Sequence, residues 1–558
     1  VDGNEGAEDV VPYAMVDNVA ARAVHLSVRL FRCAWFGLAI VVGLGGCAAG
    51  SASTSVNAGT LVDLERADGA TMNPLYAQTV QDGTVYATLL YDGLSRLGPD
   101  LAFHPDLAVS WRHSADGLHW DVDLRRGVRW SDGAPFTSKD VVFTYRIMRD
   151  PKTAFIGAGD LDYVMSVVAD GPYRVHFTLA HASAKFVDAV LGEYMLPAHV
   201  LGAVPADRQA YTTFGEHPIG TGPYMLKRWQ HDSEALFERN PYYWDGPAKI
   251  ARIDFRIIFN DQAEVDAMEN GSADLISDLG YHQSLRLAKE SPQIKLLQFP
   301  SLYVDTAEVN LHRPGLDDVV VRQAMMYGND REAIVRGFLD GKGAVADNLV
   351  AAALTRWYNP NVQKYPYDPV KARAMLDAAG WKVGPDGVRR RGTTRLEFDV
   401  LVNQGSVLIL DEVLAFCADM REIGIKLNAR QLDFPSLVQR AYSGKFDLIE
   451  DERGGVLDPD WTTVLLSTAR PPNGANTTGY NDPIVDYDLK QGLRELDYTK
   501  RRALYNQMQV QLAKTLPMLW QYSAYSRAAY TPRLRLDPKT TLQAPLIWYN
   551  VADWKLTS

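Results

Sequence analysis

The chain has 558 residues, too many for one hydrophobic core, so two to four domains are expected. Apolar residues make up 47% and aromatic ones 10%, ample for packed cores, which excludes wholesale disorder. The formal net charge of -11 argues against a nucleic-acid partner, which would need a concentrated basic surface.

The only long apolar stretch comes early. Arg22, Arg29 and Arg32 precede an apolar run from Cys33 to Leu44, and small residues follow it. Basic flank, short apolar core and small-residue exit are the parts of a secretory signal, and the run is shorter than the ~20 residues of a stable membrane span. It ends in Leu44-Gly45-Gly46-Cys47, which resembles the lipobox of bacterial lipoproteins. That resemblance implies lipid on Cys47, removal of residues 1–47 apart from that cysteine, and a location outside the cytoplasm, anchored to the cell membrane. A plain signal with an incidental cysteine is the alternative. Residues 1–21 are polar and acidic, so the signal itself is expected to start further in, for example near Met15. Residues 48–57 are small and polar and read as a flexible tether, with order beginning near Thr60.

Of the three cysteines, Cys33 leaves with the signal and Cys47 carries lipid, so no disulfide framework is expected. Cys417 falls on the apolar face of a predicted helix and reads as a buried structural thiol.

Further along, Trp120, Val122 and Leu124 alternate with Asp121 and Asp123, and Arg126-Gly127 then suggests a hairpin into Val128 and Trp130. Thr137 and Asp140 have capping-box spacing at the start of a helix that Asp150-Pro151 stops. Ile253, Phe255, Ile257 and Phe259 read as a mostly buried strand. Asp368-Pro369 opens a helix that Gly380 closes. A strand at 396–402, a helix through Cys417 to Gly424, a strand from Ile425, a helix over Phe434–Tyr442 and a strand from Phe446 to Ile449 follow. This is the arithmetic of a parallel α/β lobe, in which ligands bind outside the carboxyl ends of the strands. The segment after Ile449 is therefore a site candidate.

No phosphate loop, His-Glu-x-x-His, Cys-x-x-Cys or Gly-x-Ser-x-Gly motif occurs, and the 11 histidines are scattered. An enzyme is not expected, and no cofactor or metal set is implied.

Pro105-Asp106-Leu107-Ala108-Val109-Ser110-Trp111, Leu124-Arg125-Arg126-Gly127-Val128, Ser131-Asp132-Gly133-Ala134-Pro135-Phe136-Thr137, Gly220-Thr221-Gly222-Pro223-Tyr224, Arg239-Asn240-Pro241-Tyr242-Tyr243-Trp244 and Asp458-Pro459-Asp460 occur in that order. In these blocks the chain resembles the bacterial extracellular solute-binding proteins of family 5, which include dipeptide-, oligopeptide- and nickel-binding proteins of ATP-driven (ABC) importers. The resemblance implies an α/β, two-lobed, hinged periplasmic-binding-protein-like fold of type II and of the large three-domain class. Lobe one would comprise 58–100, 220–312 and 523–558, an inserted domain 101–219, and lobe two 313–522. Chain crossings near 305–315 and 518–528 would form the hinge.

The same resemblance implies a monomer that delivers a small peptide or peptide-like solute to permease and ATPase subunits. A non-peptide ligand (a metal chelate or haem-like group) and a sensing or chaperone role are the alternatives. The family's amine-clamping aspartate falls on Gly455 and its tryptophan on Glu452, counting back from Asp458-Pro459. Either Asp451, Glu452 or Asp458 would then supply the charge from a shifted position, or the ligand has no free amine there. Asp458 is also read as the cap of a helix starting at Trp461, and Trp461 as either stacking on ligand or packing the lobe. Arg453 is either a carboxylate clamp or the neutralising partner of its acidic neighbours, with the second favoured. Tyr303 and Asn310, near a crossing, and Tyr91, in a Tyr-Asp-Gly turn, complete the candidate set.

Overall fold

The computed structural model describes residues 59–404, 407–455, 457–540 and 546–557. The signal, Cys47 and the tether lie outside them. One core is organised by an eight-stranded sheet in which Thr60–Glu65 lies parallel to both Arg252–Ile257 and Leu275–Ile276. Glu234–Arg239 and Tyr224–Gln230 extend one side. Tyr522–Tyr530 and Lys295–Pro300 extend the other, all antiparallel to their neighbours. A four-stranded antiparallel sheet, in the order Ala108–His113, His119–Leu124, Arg174–Leu179, Val164–Ala169, buries its apolar face in the same core.

A second core surrounds a five-stranded sheet. Lys426–Leu432, Glu397–Asn403 and Leu448–Gly454 are parallel, and Tyr303–Val309 and Met518–Trp520 complete the sheet in antiparallel sense. The parallel part is the strand–helix–strand–helix–strand run expected from periodicity. Its helices cover Val407–Glu422 and Phe434–Tyr442. Gly424 turns the chain between helix and strand at φ +85°, a conformation that an L side chain resists. Cys417 is buried on the first of these helices, where burial pushes its thiol up to about 11.

Local start signals act as expected. The Asp140 carboxylate accepts from Thr137 N at 2.8 Å, and Thr137 Oγ1 accepts from Lys139 N at 3.3 Å, opening Ser138–Met148. Asp368 accepts from Lys371 N at 2.8 Å to open Pro369–Ala378.

Two local readings need correction. His119–Leu124 does not form a hairpin with Val128 and Trp130. Its partners are Ala108–His113 and Arg174–Leu179. The segment after it closes on itself, because Trp130 N bonds to Ala134 O and Phe136 N to Val128 O. Phe259 lies beyond the Arg252–Ile257 strand and is 71% exposed, so the alternating pattern ran past the end of pairing.

The eighth strand, Gly343–Val345, pairs with Tyr522–Ala524. The chain passes from Lys295–Pro300 of this sheet to Tyr303–Val309 of the five-stranded one through Ser301 and Leu302, and from Met518–Trp520 back to Tyr522–Tyr530 through Gln521. Both crossings are stitched together. Gln521 N donates to Asp305 O at 2.9 Å, and Ser523 Oγ donates to Tyr303 O at 2.6 Å.

Candidate functional site

Parallel strands end with their carboxyl ends along one edge of a sheet, where open α/β sheets place ligands. In the five-stranded sheet those ends are Asn403, Leu432 and Gly454. Leading up to Gly454, the strand carries Glu450, Asp451, Glu452 and Arg453.

This rim is acidic to an extent that ordinary strand pairing disfavours. Asp305 stands directly opposite Glu452 across the ladder, a like-charge pair, and Glu450 follows two residues away on the same face. Glu412 reaches in from the Val407–Glu422 helix, 6% exposed, and accepts from Tyr522 Oη. Burial, then the neighbouring carboxylates, holds Asp305 and Glu450 well above the usual carboxylate range. Burial pushes Glu412 up to about 7, opposed by the Tyr522 hydrogen bond. Burial and then Asp451 raise Glu452.

Arg453 does not offset these charges, because it turns to the other side. Its Nε donates to Glu308 at 2.9 Å and lies 2.8 Å from Asp451. Thr477 Oγ1 donates to the second Glu308 oxygen at 2.7 Å. The guanidinium is thus neutralised internally.

Beyond Gly454 the chain enters a junction where segments of both cores meet. Here a pocket of about 630 Å³ is walled by Tyr91, Tyr194, Trp548 and Leu457 and floored by Asp92, Asp106, Asp188 and Glu193. Asp106 is 1% exposed and its Oδ1 has no hydrogen-bond partner among the described residues; Arg96 Nε lies 3.8 Å away. Asp92 accepts from Trp244 Nε1 at 3.2 Å, and burial pushes it up to about 6. Burial raises Asp188 to about 7, with Asp458 contributing, and Glu193 to about 8, with Asp160 contributing.

At the lips, Lys185 Nζ lies 3.3 Å from Asp460, and Ala184 N donates to Leu493 O at 2.8 Å. These contacts join the side of the four-stranded sheet to the side of the five-stranded one. Leu101 packs within the second core.

The residues singled out from sequence fall in different places. Tyr91 lines the pocket, but its hydroxyl is engaged, donating to Met72 O at 2.8 Å. Next to it, Gly93 is required by close approach rather than by a turn, since a Cβ there would meet Ser95 O at 2.7 Å and Gly192 O at 2.9 Å. Tyr303 is 39% exposed, and its ring covers Gly455. Asp451 and Glu452 belong to the acidic rim. Asn310 is remote from the pocket, its amide donating to Phe446 O at 2.8 Å and Gly444 O at 3.2 Å.

Asp458 does not cap the helix after Trp461. Asp460 accepts from Thr462 N at 3.1 Å, whereas Asp458 takes the Arg501 guanidinium in a two-pronged pair at 2.5 and 2.8 Å. Trp461 is 6% exposed and packs in the second core. The pocket acids Asp188 and Glu193 carried no sequence signal. Asp106 sat in a quoted motif but gave no hint of its role there.

Among the described residues no group of three or more His, Cys, Asp or Glu side chains is arranged to hold a metal ion, and no helix is long and apolar enough to cross a membrane. The profile of the bacterial extracellular solute-binding proteins, family 5 Middle, matches residues 102–474. The chain belongs to this family. Its fold is accordingly the type II periplasmic-binding-protein fold, as expected.

Oligopeptide-binding protein AppA of Bacillus subtilis is 26% identical over 520 residues, covering 91% of this chain and 93% of that protein. The structure of NikZ from Campylobacter jejuni in complex with Ni(L-His) superposes with a TM-score of 0.74 at 28% identity, covering 89% of this chain and 99% of that one. The B. subtilis AppA structure in complex with a nonapeptide gives 0.71 at 25% identity, covering 90% and 99%. The relatives are solute-binding proteins, not enzymes.

Two outcomes are expected. Gly455 has φ +69° and a side chain there would collide with the Tyr303 ring, so Gly455→Asp lowers stability by about 1–3 kcal/mol. Tyr303→Ala in the same chain recovers part of the loss, which a double-mutant cycle of melting curves reads as coupling. Glu412 has a folded-state pKa above its unfolded value of about 4.3. Its stabilising contribution is complete below that value and is lost as pH rises to about 7. Glu412→Gln therefore melts increasingly above the parent chain between those pH values, and parallel melting curves across the range would detect it.

Proposed function

We propose that this chain is the lipid-anchored substrate-binding protein of an ABC importer. It captures a small peptide or peptide-like solute between two lobes and hands it to a permease. The observation that carries the reading is the joining of two separate cores at the hydrogen-bonded crossings Ser301–Leu302 and Gln521, with an acid-lined pocket and the carboxyl ends of parallel strands at their junction. Of the expected lobes (lobe one 58–100, 220–312 and 523–558, with 101–219 inserted; lobe two 313–522), the first boundary would move back to Ser301–Leu302, because Tyr303–Val309 pairs within the five-stranded sheet. Ser301–Leu302 and Gln521 would then be the hinge. A ligand held from both sides favours the closed form by its differential contacts, and that form is the one a permease would read.

The similarity to an oligopeptide-binding protein over nine-tenths of both chains supports the peptide class. A glycine covered by a tyrosine ring at position 455, together with the internal pairing of Arg453, implies that the solute's ends are held differently from the family's usual amine clamp. Cys47 would tether the mature protein outside the cytoplasm.

Native mass spectrometry of the protein purified from membranes without refolding tests this. The expected result is a chain beginning at a lipid-modified Cys47 and carrying a ladder of short peptides. A single non-peptide species would overturn the peptide reading, and an unmodified Cys47 would overturn the anchor.

A further inference from the structure

The junction pocket contains more negative charge than its own cations answer. Asp92, Asp106, Asp188 and Glu193 line it, and Arg96 is the cation within, already divided between Asp106 at 3.8 Å and Asp245 at 4.0 Å. Lys539 and His104 stand at the rim, exposed, with His104 paired to Asp100 at 2.8 Å. Behind Asp188, Lys185 and Arg501 are engaged by Asp160, Asp460 and Asp458.

Two acids have unmet hydrogen-bonding capacity. Asp106 is almost fully buried with Oδ1 lacking a hydrogen bond, and Glu193, which is half-buried, has neither a side-chain hydrogen bond nor an ion pair among the described residues. Removing a carboxylate from water without a partner is costly, so such acids persist where something else completes them. Internal structure accounts for Asp92, whose oxygen accepts from Trp244. Arg96 at 3.8 Å and Arg125, whose Nε donates to the Asp106 carbonyl at 3.0 Å, offset part of the Asp106 charge, but neither donates to its Oδ1 and nothing pairs with Glu193 among the described residues.

We propose that this pocket holds a cationic side chain of the solute, a lysine-like ammonium or arginine-like guanidinium rather than its terminal amine, between Asp106 and Glu193, with Asp92 and Asp188 adding field and Tyr91 and Tyr194 enclosing its apolar stem. The substrate class is then small basic peptides or peptide-like polycations. The volume of about 630 Å³ lies within the ordinary range for a small-molecule site. An anionic solute is disfavoured, since Arg96 already serves two carboxylates. A bare metal ion is disfavoured by the lack of a ligand set among the described residues. This inference deepens the proposed function and rests on its placement of the ligand at the junction.

The test is titration calorimetry of the full chain, exchanged free of copurified solute, with trilysine, trialanine, triglutamate and spermidine. The expected order is trilysine tightest and triglutamate weakest. Glu193→Gln is expected to weaken trilysine about tenfold to hundredfold, with trialanine unchanged. Glu193 makes no internal contact that folding would miss, so this variant remains interpretable even if Asp106→Asn does not fold.

Equal affinity for the three peptides overturns the cationic inference and leaves peptide capture standing. Binding of spermidine but of no peptide, lost in Glu193→Gln, upholds the cationic pocket and overturns peptide capture. Trilysine binding unchanged in Glu193→Gln overturns the assignment of this pocket. Absence of binding by all four overturns both.

Discussion

Two cores that each bury their own apolar side chains are joined by two strand crossings, and the rest of the molecule follows from that constraint. Ser301–Leu302 and Gln521 each separate a strand of one sheet from a strand of the other, and the short strand Gly343–Val345 pairs beside the second crossing with Tyr522–Ala524. Hydrogen bonds bind the crossings to each other, as in Gln521 N to Asp305 O and Ser523 Oγ to Tyr303 O. The hinge is therefore a short ribbon rather than two loose linkers. Bending there leaves each core packed as it is, and the apolar contacts it would change are those that cross between the cores, as at Leu101 and Leu546.

The charged groups are arranged around this ribbon in a way that stability alone does not explain. An Asp–Glu cross-strand pair, two further acids beside it and an acid-lined pocket nearby all raise the cost of the ionised state. Local conflicts of this kind are expected where a protein meets its ligand. Arg453 and Arg501 show the opposite design. Each is matched by nearby acids, Arg453 by Glu308 and Asp451 on the adjoining strands and Arg501 by Asp458, which ties the chain after Leu457 to the Tyr498–Thr515 helix.

Much of the fold could be read from sequence because its signals are local. The strand–helix alternation from 396 to 449, the Thr137–Asp140 and Asp368 caps and Gly424 each depend on neighbours within one or two turns. The hairpin reading at Gly127 failed because strand pairing is set by partners far along the chain, here Arg174–Leu179. The site was legible where it lies on one continuous strand, Glu450 to Arg453, and at Tyr91, which lines the pocket. Asp188, Glu193 and Arg501 come from distant segments and carry no motif, so only the folded chain brings them near Leu457 and Asp458. Asp458 itself was assigned to a helix cap because Asp before a helix so often serves there, but Asp460 sits closer to the first free amide.

Closure about the ribbon is the central claim, and a distance across the lips tests it most directly. Ala184 and Leu493 are in hydrogen-bond contact here, and His181 and Gln491 beside them are exposed. Spin labels at His181→Cys and Gln491→Cys, with Cys417→Ala, would report that separation by pulsed dipolar spectroscopy. The account predicts a broad distribution reaching to long distances in the solute-free protein that collapses to a single short distance when the copurified solute is returned. A short distance already complete without solute, or a distribution that solute leaves unchanged, would contradict it.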